Sequence, residues 1–295
     1  MTDVAEPTRE FERHRAHLFG IAYRMLGSVA EAEDMVQDCW LRWTAADRAA
    51  VAAPRAFLAR TITRLCIDHR KSARVQRESY TGPWLPEPVA EGLSPDIEME
   101  NAETLTVALM LALERLSPLE RAAYLLHDIF DMGFSEIARA LGRSEPGCRQ
   151  LAARARRHVR EAKPRFAVAD EDGDRLVSAF VAASRDGDIA SLTALLTETA
   201  SAHTDGGGAR IAAINVIQGR DKVVRFITGL RRKRGWRPPE ILWRGAINGL
   251  PGMISRDAHG VLQSDAFAIA DGRIEAIYTV RNPAKLAHIA ARLDR

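Results

Sequence analysis

The sequence predicts a multidomain chain: two all-α domains, the second carrying a helix-turn-helix, followed by an α+β cone. Three observations predict it. Two capped short helices and a basic helix fall between Leu116 and Arg165. No Lys or Arg stands between Glu78 and Glu114, so an acidic, Pro-containing linker at 79–104 separates helical blocks at 8–78 and 105–165. Beyond them the composition shifts to short helices and then alternating strands, a domain at 170–290.

Composition sets outer bounds. A length of 295 residues suits two or three domains, and a 46% apolar share supplies ordinary cores. Net charge is only +3, so any nucleic-acid affinity must come from local patches. Cys39, Cys66 and Cys148 are widely separated, with neither metal spacing nor a disulfide framework, which fits a reducing cytosol. Glu6, Glu10, Glu12 and several arginines interrupt the start, against a signal peptide. No apolar run reaches spanning length. A cytoplasmic location without metal or cofactor is the expectation.

The first block opens with an amphipathic helix from Thr8 to Leu26, with Phe11, Leu18, Ala22 and Met25 along one face and Phe19, Tyr23 and Leu26 widening it. Gly27 stops it, and Ser28 with Glu31 is a capping box for the next. That helix buries Ala32, Met35, Val36, Cys39 and Trp43, and Glu31, Asp34 and Asp38 gather opposite. Such a stripe is either a solvated surface or a docking face for a basic partner. Pro54 starts a third helix with Leu58, Thr61, Ile62 and Leu65 inward. Basic residues then accumulate at Arg60, Arg64, Arg70, Lys71, Arg74 and Arg77. Asp68 is read as a brace for a neighbouring Arg, and His69 as either a packed histidine or a base contact.

Gly82-Pro83-Trp84-Leu85-Pro86-Glu87-Pro88 forms neither helix nor central strand. Trp84 and Leu85 are unusual residues to leave in water, so this linker docks somewhere. After it, Ser117 caps a helix with Pro118 first and Glu120 third, a complete capping box. A short helix from Phe134 ends at Gly142, and Ser144 caps a third with Pro146 in its first turn. This is a helix-turn-helix pattern. In the third helix Cys148, Leu151, Ala152, Ala155 and Val159 gather on one face. Arg149, Gln150, Ala153, Arg154, Arg157 and Arg160 gather on the other. Arg pairs with guanine edges and Gln with adenine, and both also hold phosphates. A solvated basic face would carry the same arginines, but the capped turn and the short first helix favour DNA.

In the last domain, Leu176, Val177, Phe180 and Val181 form one helix face and Ile189, Leu192, Leu195 and Leu196 another. Ala200 to Asp205 reads as a strand before Gly206-Gly207-Gly208. Gly219 precedes a helix with Val223, Val224, Ile227 and Leu230. Phe267 to Tyr278 is a hairpin about Asp271-Gly272. His203 and Asp205 leave one face of a strand, an arrangement that could serve as acid and base. An Asp before three glycines is also an ordinary turn residue.

These residues carry a resemblance. Ser117-Pro118-Leu119-Glu120-Arg121, Phe134-Ser135-Glu136-Ile137-Ala138 and Leu151-Ala152-Ala153-Arg154-Ala155-Arg156 resemble region four of extracytoplasmic-function sigma factors. Ser28 through Asp38 and Phe57 through Arg70 resemble region two. The resemblance implies a non-enzymatic factor that carries core RNA polymerase, through its β and β′ subunits, to promoter DNA. It implies core contacts at Asp34, Gln37 and Asp38. It implies upstream-element contacts at Arg149, Gln150, Arg154, Arg157 and Arg160. It implies downstream-element contacts at Arg60, Arg64, Arg70, Lys71 and Arg74, with Arg64 nearest an extruded base. Trp84-Leu85-Pro86-Glu87-Pro88 is similar to a linker motif of a subgroup with an added SnoaL-like C-terminal domain. Asp205-Gly206-Gly207-Gly208 and Asn282-Pro283-Ala284-Lys285-Leu286 are similar to its other signatures, with Ala284 where the subgroup has Asp. The implied role of those segments, with Trp84 and Leu85, is regulation in cis by docking on the linker or region two. SnoaL-like folds also host cyclases, isomerases and binding modules, so a small ligand in the cone belongs among the expected partners. Two rivals stand beside this reading: a helix-turn-helix regulator independent of polymerase, and a SnoaL-like enzyme fused to a DNA-binding module.

Overall fold

A computed structural model describes residues 5–47, 50–78, 80–93, 97, 99–100, 105–161, 170–232 and 235–293. Side chains of 5–6, 73–78 and 170–171 lie outside the description. The chain divides into two compact units, Met1–Glu78 with Asp96–Pro164, and Ser79–Pro95 with Arg165–Arg295.

In the first unit, α1 (Ala5–Leu26), α2 (Val29–Ala45) and α3 (Pro54–Glu78) pack together. Every predicted inward residue of α1 is buried, as are Ala32, Met35, Val36, Cys39 and Trp43 of α2. Gly27, at φ 76°, ends α1, and the Ser28 hydroxyl accepts from the Glu31 N–H at 3.2 Å. Then come α4 (Val107–Glu114), α5 (Pro118–Tyr124), α6 (Phe134–Leu141) and α7 (Glu145–Glu161). The Ser117–Glu120 capping box forms as predicted, and Ser144 accepts from the Gly147 N–H at 3.3 Å. One local feature was not foreseen: α5 continues into a π-helical turn, Leu125–Ile129, closed by the Phe130 N–H on the Leu125 carbonyl.

The two helical blocks of this unit share a buried polar seam. Arg24 and Arg121 are fully buried. The Arg121 Nε donates to the Arg24 carbonyl at 2.7 Å, and its Nη1 meets Glu114 at 2.5 Å. Glu114 also accepts from Arg70 at 3.2 Å. Arg24 lies 5.5 Å from the Phe130 ring centroid. Deleting one partner of such a buried pair costs about 3–5 kcal/mol, because the other charge is left in low dielectric.

The second unit holds a six-stranded sheet in the order β2-β1-β6-β5-β4-β3. Its strands are β1 (Leu196–Asp205), β2 (Ile217–Gln218), β3 (Glu240–Ile247), β4 (Leu250–Arg256), β5 (Leu262–Ala270) and β6 (Arg273–Val280). Among the described residues only β1 and β6 pair in parallel. The helices are α8 (Asp170–Asp186), α9 (Ile189–Leu195), α10 (Arg220–Arg231) and α11 (Pro283–Leu293). Ala202, Ile277 and Phe267 lie opposite one another in register and share a core with Val177, Phe180, Leu192 and Val223 of α8, α9 and α10. His203, Tyr278 and Ala266, one residue along, emerge on the reverse face. Ile189 is exposed where the sequence put it inward, because it follows the Asp188 cap directly and only Leu192 of α9 turns fully to the core. Asp271-Gly272 makes the predicted hairpin, and Asn248-Gly249 makes a second, both with positive φ at both positions.

The stretch expected as a linker, 79–104, is shared between units. Its described part from Tyr80 to Glu91 is extended and packs within the second unit. Leu85, Val89 and Ala90 are buried there, and Ala90 bridges Ile247 at the edge of β3.

Candidate functional site

The outward face of α7 is as predicted: Arg149, Gln150, Arg154, Arg157 and Arg160 are all exposed. Arg149 pairs with Glu145 at 3.1 Å and lies 5.2 Å from the Phe134 ring centroid. Arg154 pairs with Glu120 at 2.8 Å. Burial works against the Glu120 carboxylate, yet hydrogen bonds from Ser117 and Arg154 hold its pKa below the usual value. Arg157 and Arg160 have no ion-pair partner among the described residues. The outward face therefore presents two cations without an ion-pair partner among the described residues and two held by carboxylates, Glu145 partly exposed and Glu120 mostly buried.

The basic helix α3 divides its cations differently. Arg60 lies 5.5 Å from the Phe57 ring, and Lys71 pairs with Asp68 at 2.9 Å, so the brace expected for an Arg is to Lys71. Arg64 donates to the Ala140 carbonyl at 2.9 Å and the Arg139 carbonyl at 3.3 Å. Those carbonyls end α6, where unpaired acceptors and the helix dipole attract a cation. Arg70, expected at the downstream element, is instead turned inward, its side chain 9% exposed, donating to the Met25 carbonyl at 2.9 Å and pairing with Glu114. The Arg74 side chain lies outside the described residues. His69 sits 3.3 Å from Glu31, a partner on α2. Along the same face of α2 as Glu31, Asp34 and Asp38 are exposed, as is Gln37 beside them. Leu41, on the same face, is 58% exposed, and the sequence reading passed over it.

The second unit brings the expected regulatory residues together. The Asp205 side chain is wholly buried. Its Oδ1 accepts from the Tyr80 hydroxyl at 2.5 Å and the Gly207 N–H at 3.0 Å. Its Oδ2 accepts from the Leu85 N–H at 2.9 Å and the Lys285 ammonium at 2.8 Å. Lys285 also donates to the Leu85 carbonyl, and its ammonium lies 4.8 Å from the Tyr80 ring centroid and 4.4 Å from that of Trp84. Asn282 donates to the Tyr80 hydroxyl at 2.9 Å while accepting from the Ala284 N–H at 3.1 Å. Burial, then the bond to Asp205, pushes the Tyr80 hydroxyl pKa up. Farther along, Val89 exchanges two 2.9 Å hydrogen bonds with Asn248, and His288 donates to the Pro88 carbonyl at 2.9 Å. Gly207, at φ 57°, admits this arrangement, since a Cβ there would lie 2.1 Å from the Asn282 amide nitrogen. Ala284 is exposed, so the departure at that position leaves the clamp intact.

A cavity of about 320 Å³ lies beside the clamp, walled by Thr81, Gly82, Thr204, Gly206 and residues 208–214. The Thr204 hydroxyl is already taken by the Ala213 backbone, accepting at 2.7 Å and donating at 3.3 Å.

With this geometry in hand, known proteins become informative. Residues 11–75 match the Sigma-70 region 2 family and residues 106–159 the Sigma-70, region 4 family, which take in most of α1–α3 and of α4–α7. The ECF RNA polymerase sigma factor SigJ of Mycobacterium tuberculosis is 40% identical over 292 residues, 94% of this chain and 92% of that protein. The chain belongs to the extracytoplasmic-function sigma factors. A probable ECF RNA polymerase sigma factor SigI of Mycobacterium tuberculosis is 32% identical over 95% of this chain and 94% of its own. The crystal structure of SigJ superimposes with a TM-score of 0.77 at 36% identity, covering 95% of this chain and 98% of that one.

In this sigma factor the acid–base arrangement of His203 and Asp205 does not form. Both do leave one strand face, but Asp205 is occupied by four donors. His203 bonds Ser201 at 3.1 Å and lies 5.0 Å from the Tyr278 ring. Burial pushes its pKa down to about 4. Tyr80 and Asn248 are clamp residues the sequence reading missed. Asn248-Gly249 between two apolar runs was a legible hairpin signal. Tyr80 carried none.

Proposed function

We propose that this sigma factor directs core RNA polymerase to specific promoters in the cytoplasm, with its C-terminal unit regulating that activity in cis through the linker clamp. Asp34, Gln37 and Asp38 dock on the polymerase. Arg149, Gln150, Arg154, Arg157 and Arg160 read the upstream element. Arg60, Arg64 and Lys71, with Arg74, serve the downstream element. The observation that carries the regulatory part is the Asp205–Lys285 pair closed around the backbone of Leu85. The linker joins the two DNA-binding regions, so holding it limits how they can be spaced. Differential stabilisation of a few kcal/mol moves such an equilibrium almost completely.

Arg64 supports the same reading. Its guanidinium cannot both cap α6 and meet promoter DNA, so engagement requires that contact to break. The polymerase part is tested by competition for core enzyme. A variant carrying Asp34→Lys and Asp38→Lys should lose core binding, most visibly at low salt where attraction is least screened. Undiminished competition would reduce the stripe to a solvated surface.

A further inference from the structure

Eight Lys and Arg residues against one carboxylate, Asp221, stand between Arg220 and Arg237. The whole chain carries only +3, so the remainder is net acidic and this is its most concentrated positive charge outside the sigma regions. We propose that α10, with Arg232 and Arg237 beyond it, forms a further DNA-binding surface, gripping the phosphate backbone of duplex that flanks the upstream promoter element.

The helix is amphipathic in a way that serves such a role. Val223 and Val224 are buried in the core, while Lys222, Arg225, Gly229 and Arg232 recur at helical spacing and are exposed. Among the described residues, Lys222, Arg225, Arg232 and Arg237 have no ion-pair partner. Other exposed arginines find carboxylates, as Arg149 does with Glu145 at 3.1 Å and Arg154 with Glu120 at 2.8 Å. Like charges one turn apart repel, so an uncompensated stripe costs stability unless an anion neutralises it.

The end of the helix is anchored through Arg231. The Arg231 guanidinium lies 5.2 Å from the Trp236 ring centroid and crosses Gly187, where a Cβ would sit 1.8 Å from its Nη1. That contact presents the stripe on a fixed element.

The chemistry favours a phosphate backbone. Arg dominates the cations, and its planar fork suits phosphate oxygens. No Asn or Gln stands between Arg220 and Arg237, so nothing there is suited to adenine edges. No exposed large hydrophobic lies on α10, which a lipid-inserting surface would need. The sigma-factor family supplies the choice of DNA, and in the chain the domain that carries α10 follows the upstream-element helix α7 after eight residues.

The test uses polymerase holoenzyme formed with the full chain, and promoter fragments that either stop at the upstream element or continue beyond it. A variant with Lys222→Ala, Arg225→Ala and Arg232→Ala alters only exposed side chains. It should bind the longer fragment about tenfold or more weakly at low salt. Its dependence of log K on log salt should be shallower by roughly 2–3, about 0.9 for each phosphate released. The short fragment should be bound equally by both proteins, and scrambling the flanking sequence should change nothing. Equal affinities and slopes on the long fragment would overturn the proposal. So would weakened binding to core polymerase without DNA, which would assign the stripe to an acidic protein surface while leaving the sigma reading standing.

Discussion

Asp205 shows how a few atoms tie a linker to a domain. Its two oxygens accept from the linker at Tyr80 and Leu85, from the glycine turn and from α11. Gly207→Val places a β-branched side chain at positive φ and against Asn282, a strain of about 1–2 kcal/mol before the lost hydrogen bond to Tyr80 is counted. Amide exchange at Leu85 should then accelerate well beyond that of β5 and β6, and equal acceleration throughout would mean general unfolding. His203 allows a pH prediction. Its folded pKa, about 4, lies below the ordinary histidine value of 6.5, so the unfolded chain binds more protons between those values. The stabilisation is fully present above about pH 6.5 and is lost as pH falls toward 4, up to ~3 kcal/mol. In His203→Phe, denaturation midpoints should fall less steeply over that window. Sequence reading reached Asp205 and Lys285 through motif likeness, but Tyr80 is a lone aromatic whose role depends on a partner 125 residues away.

At the scale of elements, α7 and α2 were legible because caps and periodicity are local. Ser117, Glu120 and Ser144 marked helix starts that the structure reproduces. The seam of Arg24, Arg121, Arg70 and Glu114 was not legible, since a charged residue in a helix reads as surface until its partner is known. The π turn at Leu125–Ile129 left no signal for the same reason: it answers to packing, not to propensity. For α7 the expected outcome is specific. Arg149→Ala and Arg154→Ala should each weaken binding to the matched upstream element by about 1–3 kcal/mol. Base contact requires Arg154 to leave Glu120, whose carboxylate keeps its hydrogen bonds from Ser117. Filter binding to matched and scrambled elements separates the cases, and equal losses on both would make these arginines phosphate contacts only.

At the scale of the whole molecule, the order of helical regions, linker and α+β domain could be read from charge and periodicity. The sharing of the linker between units could not, because its acidity and prolines describe a tether while Leu85, Val89 and Ala90 are interior residues of the second unit. Burying such side chains stabilises by roughly 1.5–3 kcal/mol for each of the larger ones, so the clamp is a firm attachment that breaks only against substantial binding energy. The most direct test of regulation in cis is run-off transcription at equal core occupancy. It compares the full chain, Gly207→Val, and a chain ending near residue 169, which lies outside the described residues. Clamp control predicts that both altered chains differ from wild type in transcript yield while binding core equally. Three indistinguishable yields would contradict it.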